Sequence, residues 1–269
     1  MPSSSPDDRW ERGDPYERYI GRWSRLVAPR FVSWLGMPAG LRWLDVGCGT
    51  GALTATILAH ATPASVTGVE PSDGFLATAA QRLGDRAVLH RGSANAIPLP
   101  DAAVDVTVSG LVLNFVPDAA AALAQMRRVT VHGGTIAGYV WDYAGGMQLI
   151  RHFWDAAMAL DANAAVLDEA QRFPLCRPDA LAALLTRAGL ERVEVGPITV
   201  DTHFGDFDDY WSPFLGGQGP APAYAMALDE AARTRLRERL RAQLPLAADG
   251  SIALVAQAWA VKAVSPGPA

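Results

Sequence analysis

A glycine-rich segment following an apolar run has residue types that can bind a nucleotide-like ligand. Gly47, Gly49 and Gly51 alternate with other residues between a predicted strand and a predicted helix. Glycine adopts positive φ easily and lets a ligand approach the backbone closely. The first turn of the following helix adds N–H groups that have no partner within the helix. Gly47, Gly49 and Ala52 also fit the dinucleotide pattern G-x-G-x-x-G/A, so a nicotinamide cofactor remains open here.

Two carboxylates extend this pattern. Asp45 precedes the first glycine by two residues, a poor neighbour for a pyrophosphate but a suitable one for a positively charged amino group. Glu70 ends the second predicted strand, where a carboxylate can accept hydrogen bonds from both hydroxyls of a ribose. An acid at this position also serves NAD enzymes, so Glu70 alone does not decide between the two cofactors.

The Asp-x-Gly-x-Gly-x-Gly string from Asp45 to Gly51 resembles the first motif of the class I S-adenosylmethionine-dependent methyltransferases. Three later segments, 69–72, 92–101 and 105–118, resemble further family segments in the same order, and the resemblance covers about residues 16–141. It implies S-adenosylmethionine as the cofactor and S-adenosylhomocysteine as the product. The cofactor-binding residues that it implies are Tyr19, Arg22, Asp45, Gly47, Cys48, Gly49, Glu70, Pro71, Ser93, Ala94, Asn95, Ser109, Gly110 and Leu111.

The resemblance is incomplete at one position and extends to a segment before the first strand. Ser93 stands where the family usually has an acid that meets the adenine amino group, so we expect a neutral contact there, with help from Asn95. The segment 16–25 is similar to a helix that closes over the cofactor in some family members. It implies that Tyr16, Tyr19 or Arg22 could bond the methionine carboxylate, although simple packing of the helix on the sheet is the alternative.

Residues that could handle the methyl acceptor follow the fifth predicted strand. Methyl transfer mainly requires positioning of the acceptor and exclusion of water, and a general base is needed only if the acceptor must lose a proton. His152, whose side chain titrates near neutral pH, and Asp142 are the candidate catalytic residues. Four aromatic residues could hold a flat or apolar acceptor or could belong to the core: Tyr143, Trp154, Trp211 and Phe214.

Strand-like and helix-like runs alternate along most of the chain. Strands are predicted at 41–46, 65–70, 87–91, 104–109, 135–141, 191–200 and 251–261, and helices at 52–60, 73–83, 118–129, 147–160, 178–188 and 229–244. This alternation predicts an α/β fold with a parallel sheet covered on both faces. The resemblance makes it a three-layer Rossmann-like sandwich with seven strands, the last one antiparallel, and a helical cap. We expect one domain, comprising an N-terminal lid (1–40), a core sheet with the cofactor site (41–200), a cap insertion (201–250) and the last strand (251–264).

Composition narrows the possible partners and location. The 269 residues carry a net charge of −5, which disfavours sequence-independent binding of nucleic acid. No apolar run is long enough for a membrane helix, the first residues do not resemble a signal peptide, and two cysteines suggest a reduced, cytoplasmic compartment. The spacing of His, Cys, Asp and Glu residues predicts no metal site.

The sequence therefore predicts an enzyme that transfers a methyl group from S-adenosylmethionine to a small-molecule acceptor, with O-, N- and C-methylation all open. An NAD-dependent oxidoreductase is an alternative, although Lys262 is the only lysine and the Tyr-x-x-x-Lys pair of short-chain reductases is missing. A methyltransferase fold used for cofactor binding alone, or for non-methylating chemistry, is another alternative.

Overall fold

A seven-stranded sheet organises the part of the chain that the computed structural model describes, residues 17–216 and 219–267. Its strands are β1 (Arg42–Val46), β2 (Ser65–Glu70), β3 (Val88–Arg91), β4 (Val104–Gly110), β5 (Thr130–Trp141), β6 (Glu191–Phe204) and β7 (Ile252–Val264). The strand order is β3-β2-β1-β4-β5-β7-β6. β1 pairs in parallel with β2 and β4, whereas β5 and β7 are antiparallel. This confirms the predicted mainly parallel sheet and its antiparallel last strand.

The described helices connect and flank these strands. A π-helical turn (Glu17–Gly21) leads into α1 (Arg22–Leu35), followed by α2 (Ala52–His60), α3 (Asp73–Leu83), α4 (Ala119–Val129), α5 (Gln148–Leu160), α6 (Glu169–Arg172), α7 (Pro178–Arg187), α8 (Phe207–Trp211), α9 (Pro220–Ala227) and α10 (Glu230–Gln243). Asp118 caps α4 by accepting a hydrogen bond from the N–H of Ala121 at 2.9 Å. Ala122, Met126 and Val129 recur at the i, i+4 and i+7 spacing of one helix face, and this face of α4 is buried.

Several predicted boundaries were wrong. The sequence also suggests Asp73 as the N-cap of the helix at 73–83, but Ser72 caps α3, because its hydroxyl accepts a hydrogen bond from the N–H of Phe75. Gly133 and Gly134 suggest a break in the chain before the fifth strand, predicted to begin at residue 135. β5 instead begins at Thr130, since positive φ at Gly133 and a register shift against β4 let the strand continue through both glycines. β6 extends to Phe204 because alternating burial continues past residue 200. The short helices α6, α8 and α9 were missed.

The chain packs as two compact units, a helical unit and a sheet unit. The described part of the helical unit comprises residues 17–23, 142–174, 199–216 and 219–257, and the described part of the sheet unit comprises residues 24–141, 175–198 and 258–267. The sheet unit contains β1 to β5, and the helical unit contains α5, α6 and α8 to α10. The single-domain division from the sequence stays a prediction.

Candidate functional site

The strand order of the sheet unit creates a ligand-binding position at the carboxyl ends of β1 and β4. The chain runs from β1 outward to β2 and β3, then returns to the other side of β1 with β4. In open α/β sheets, ligands bind at the carboxyl end of the strands where the order reverses. The glycine loop follows β1 directly, and Gly110 ends β4, so both predicted loop segments meet at this point.

The glycine loop depends on backbone conformations that favour glycine. Gly47, Gly49 and Gly51 have φ values of +73°, +53° and +79°. A Cβ on Gly47 would lie 2.6 Å from a methyl carbon of Val112, whereas a Cβ on Gly49 would meet nothing within 4 Å. Gly47 is therefore required by packing inside the protein, and Gly49 faces open space beside the loop.

Glu70 is buried at the end of β2 and connects the loop to the next turn. One carboxylate oxygen accepts a hydrogen bond from the N–H of Gly49 at 3.1 Å, and the other accepts one from the N–H of Ser72 at 3.0 Å. Burial raises the pKa of the carboxyl, and these two hydrogen bonds oppose the rise. Because a carboxylate oxygen has two lone pairs, each oxygen can accept one further hydrogen bond, which fits the two hydroxyls of a ribose.

Asp45 supplies an unsatisfied buried oxygen. Its Oδ2 accepts a hydrogen bond from the hydroxyl of Thr54 at 2.7 Å, and its Oδ1 is buried without a hydrogen-bond partner among the described residues. Burial raises the pKa of this carboxyl to about 7. Buried polar atoms are nearly always hydrogen-bonded in folded proteins, so an orphaned carboxylate oxygen fits a ligand with a positively charged amino group. S-adenosylmethionine carries both this group and a ribose.

Three predicted contact residues are occupied by protein contacts. Ser109 is fully buried, and its hydroxyl donates to the backbone oxygen of Val46 at 3.0 Å, which ties β4 to β1. The side-chain amide of Asn95 donates to the backbone oxygen of Asp118 at 2.8 Å. The thiol of Cys48 is buried, and burial raises its pKa. The hydrogen bonds of Ser109 and Asn95 hold neighbouring segments together, and contact of all three side chains with the cofactor stays a prediction.

The remaining predicted residues of the sheet unit lie at strand ends. Leu111 has a left-handed φ of +61° and donates its N–H to the backbone oxygen of Tyr139 at 2.8 Å, which turns the chain after β4. A Cβ on Gly110 would lie 2.8 Å from the Tyr139 hydroxyl. Ser93 and Ala94 are half-buried in a turn after β3, and Pro71 is exposed after β2.

Sequence reasoning missed two residues of this region. Thr54 bonds Asp45 from α2, nine residues along the chain, and Val112 packs against Gly47. An isolated threonine carries no motif. Val112 lies within the family-like segment 105–118, but that resemblance does not indicate that its side chain packs against the glycine loop.

Tyr19 and Arg22 belong to the helical unit. The Arg22 guanidinium carbon lies 4.2 Å from the ring centre of Trp23 and 4.7 Å from that of Phe204, and its Nη1 donates to Asp209 at 2.9 Å. The hydroxyl of Tyr19 is buried without a hydrogen-bond partner among the described residues. Their predicted role in cofactor binding stays a prediction, and Tyr16 lies outside the described residues.

The two candidate catalytic residues also lie in the helical unit. Asp142 is buried, and its carboxylate accepts hydrogen bonds from the N–H groups of Ala144 and Gly146 and from the side chain of Gln257. These contacts stabilise the turn before α5. His152 is half-buried on α5, and burial lowers its pKa. A catalytic role for either residue stays a prediction.

The comparison with known proteins identifies the family. Residues 44–138 match the family model of a methyltransferase domain. The chain is 30% identical over 217 residues to the trans-aconitate 2-methyltransferase of Klebsiella pneumoniae, covering 78% of this chain and 81% of that protein. The chain belongs to the class I S-adenosylmethionine-dependent methyltransferases. This confirms the resemblance seen in the motifs and identifies S-adenosylmethionine as the cofactor of the family.

Two other known proteins show how far the likeness extends. The chain is 35% identical over 130 residues to the malonyl-[acyl-carrier protein] O-methyltransferase of Serratia marcescens, which is 48% of this chain but only about half (49%) of that relative. The solved structure of a Haemonchus contortus phosphoethanolamine N-methyltransferase with S-adenosyl-L-methionine superposes with a TM-score of 0.56 at 17% identity, covering 97% of this chain and 59% of that one. At this identity the structural likeness supports the methyltransferase fold alone.

The described residues provide neither a membrane-spanning helix nor a metal-binding cluster. None of the described helices is both long and apolar enough to cross a membrane. The described His, Cys, Asp and Glu residues include no group of three or more that could hold a metal ion.

Proposed function

We propose that this methyltransferase transfers a methyl group from S-adenosylmethionine to a small-molecule acceptor. The observation that carries the proposal is the pair of buried carboxylates at the glycine loop, Glu70 with spare acceptor capacity and Asp45 with an unpartnered oxygen. Relatives named for trans-aconitate and for malonyl-[acyl-carrier protein] support a low-molecular-weight or carrier-bound acceptor.

In the proposed site each group of the sheet unit has a separate task. Glu70 accepts hydrogen bonds from the ribose hydroxyls, Asp45 Oδ1 receives the amino group of the methionine part, and Gly49 leaves room for the ligand. Ser93 and Ala94 meet the adenine, while Ser109 and Leu111 hold the strand end that faces the reacting part of the ligand. When bound, the cofactor supplies an electrophilic methyl group, so the protein's contribution is binding, orientation and exclusion of water.

Calorimetric titration with S-adenosylhomocysteine tests the cofactor site. We expect saturable binding to the wild type and at least about tenfold weaker binding to Glu70→Gln, because an amide replaces one of the two acceptor oxygens with a donor. Glu194→Gln, which removes an exposed carboxylate on β6 of the same unit, is the matched control. Equal affinity of Glu70→Gln and wild type would refute the role of Glu70, and binding of NADH in place of S-adenosylhomocysteine would favour an oxidoreductase.

Product mass separates methyl transfer from the other uses of this fold. Incubation with S-adenosylmethionine and candidate acceptors should yield S-adenosylhomocysteine and a product heavier by one methylene unit. Binding of the cofactor without turnover on any acceptor would indicate a binding protein, and a rearranged product of unchanged mass would indicate non-methylating chemistry.

A further inference from the structure

The sheet unit contains a cavity of about 590 Å³ at the end of the sheet opposite the glycine loop. The described residues that line it come from the turn before β4, from α4 and the start of β5, from the end of α7 and from the residue after β7. All of these segments belong to the sheet unit. Small-molecule sites in proteins commonly have volumes of roughly 300–1,000 Å³, so this cavity is large enough for a small ligand.

The cavity is separate from the cofactor site. It lies at the amino ends of β4 and β5, since Ala102 precedes β4 by two residues and Thr130 is the first residue of β5. The cofactor site lies at the carboxyl ends of β1 and β4. β4 is seven residues long, and a strand rises about 3.3 Å per residue, so the two places are about 20 Å apart. A ligand in this cavity would therefore occupy a second site.

Positive charge dominates the wall of the cavity. Arg127, Arg128 and Arg187 all line it. Asp101 is the single acidic residue among the described residues of this wall, and its carboxylate pairs with Arg128 at 2.8 Å. Arg128 also donates to two backbone oxygens of the segment before Asp101, so this pair stabilises the wall. The guanidinium charges of Arg127 and Arg187 stay uncompensated within the wall, on a chain whose net charge is −5.

These two arginines keep donors available for a ligand. Nη1 of Arg127 donates to the backbone oxygen of Ala188 at 3.2 Å, which holds this guanidinium at the end of α7, next to the residue that carries the second one. Within the described part of the chain, the guanidinium of Arg187 makes no hydrogen bond or ion pair, and neither do the other nitrogens of Arg127. Both side chains are exposed. A planar guanidinium can donate two parallel N–H bonds to two oxygens of a phosphate or a carboxylate.

The rest of the wall includes an apolar surface. Ala120 and Ala124 of α4 face the cavity together with Leu184 and Ala188 at the end of α7. Basic side chains in the last turn of a helix also stabilise its C-terminus, and both arginines occupy such turns. That explanation accounts for the positions of the two charges, but not for the cavity and the apolar surface beside them.

We propose that this cavity binds a small, doubly charged oxyanion attached to an apolar body, such as a phosphate monoester or a dicarboxylate. Arg127 and Arg187 donate hydrogen bonds to the anionic oxygens, and Leu184 with the neighbouring alanines contacts the carbon skeleton. Two uncompensated guanidinium charges match two negative charges on the ligand. The site takes no part in methyl transfer, and the proposal does not depend on the proposed function.

Calorimetric titration with three probes tests the chemistry of the ligand. Phenyl phosphate has the charge and the apolar body, phthalate replaces the phosphate with two carboxylates, and benzyl alcohol keeps the flat body without charge. At low ionic strength, and at a pH where both anions are doubly charged, the wild type should bind one or both anions at least about tenfold more tightly than the alcohol. Added salt should weaken the binding, because exposed charges are screened. The order of the two anions identifies the preferred oxyanion.

Charge-removing variants test the two arginines. Arg187→Gln and Arg127→Gln should each weaken phenyl phosphate binding about three- to fivefold, the effect expected for one exposed charged contact. Arg30→Gln, which removes an exposed arginine of α1 in the same unit but outside the cavity, is the matched control and should bind as the wild type does. If Arg127→Gln does not fold, Arg187→Gln carries the test, because its side chain holds no other described residue in place.

The same titration with saturating S-adenosylhomocysteine tests where the anion binds. The affinity for phenyl phosphate should be the same with and without S-adenosylhomocysteine, because the two sites are about 20 Å apart. Competition between the two ligands would place the anion at the glycine loop and overturn the proposal. Absence of saturable anion binding in the millimolar range, or unchanged affinity in both arginine variants, would also overturn it and leave the arginines with their role at the helix ends. Failure of S-adenosylhomocysteine itself to bind would contradict the proposed function, and the arginine variants would still decide the anion site.

Discussion

Glu169→Gln should change the way in which the stability of this protein depends on pH. Burial raises the pKa of Glu169 from 4.5 to about 8, so the folded protein holds a proton that the unfolded chain releases. The stabilisation linked to this proton is complete below the unfolded pKa and is lost as the pH rises through the folded pKa. Each pKa unit corresponds to about 1.4 kcal/mol. Between about pH 6 and about pH 8 the wild type should therefore lose about 2 kcal/mol of unfolding free energy through this group alone.

Urea unfolding at a series of pH values measures this effect. The Gln variant should lack this part of the pH dependence, so the difference in unfolding free energy between variant and wild type should increase in favour of the variant as the pH rises. A constant offset is expected as well, because the new amide places a donor in a buried position, and only the slope is diagnostic. Glu230→Gln, an exposed glutamate of the same unit, controls for the change in net charge. Parallel curves for Glu169→Gln and wild type would refute the raised pKa and the burial that causes it.

The glycine loop and its carboxylates give three further predictions. Burial raises the pKa of Asp45 to about 7, and the proposed contact with an ammonium group requires the charged carboxylate. The affinity of the wild type for S-adenosylhomocysteine should therefore fall as the pH drops below about 7, by up to about tenfold per pH unit. Calorimetry of Asp45→Asn should show no such pH dependence. Gly47→Ala should lower the melting temperature strongly, because its Cβ would lie 2.6 Å from a methyl carbon of Val112. Gly49→Ala should cost only about 1–2 kcal/mol of stability but should weaken S-adenosylhomocysteine binding at least about tenfold. A larger loss of stability in Gly49→Ala than in Gly47→Ala would contradict the packing role of Gly47 and the ligand-facing role of Gly49. Ser109→Ala should cost about 1–3 kcal/mol in chemical denaturation, since it leaves a buried backbone oxygen without its donor, and an unchanged stability would argue against its positioning role.

Most of the sheet could be predicted because its signals are local. Short apolar runs separated by glycines and capping residues place β1, β2 and β4 within a residue or two, since a strand buried on both faces must be apolar throughout. The boundaries of β5 and β6 could not be read in the same way. Gly133 looks like a chain break until its positive φ is seen inside a strand, and such a bulge is fixed by pairing with a neighbouring strand rather than by local sequence.

The cofactor site was predictable in its residue types and not in its contacts. Asp45, Gly49 and Glu70 could be named because the loop and the strand ends have fixed spacings along the chain. The hydroxyl of Ser109 bonds the backbone of β1, and Asn95 bonds the residue that caps α4. Both contacts join segments that only folding brings together. The sequence therefore overstates how many of these side chains are free to meet a ligand.

The sequence by itself determined the family, the cofactor class and the succession of strands and helices along the chain, because motif spacing and apolar periodicity are properties of neighbouring residues. Only the tertiary structure decided which polar groups are buried, and thus which have shifted pKa values or unmet hydrogen bonds. Glu169 illustrates the difference, since nothing in its sequence neighbourhood distinguishes it from the chain's exposed glutamates. Its proton affinity arises from burial, which the hydrogen bond from Trp154 only partly offsets. Trp154 lies fifteen residues away along the chain, so folding is needed to bring the two side chains together.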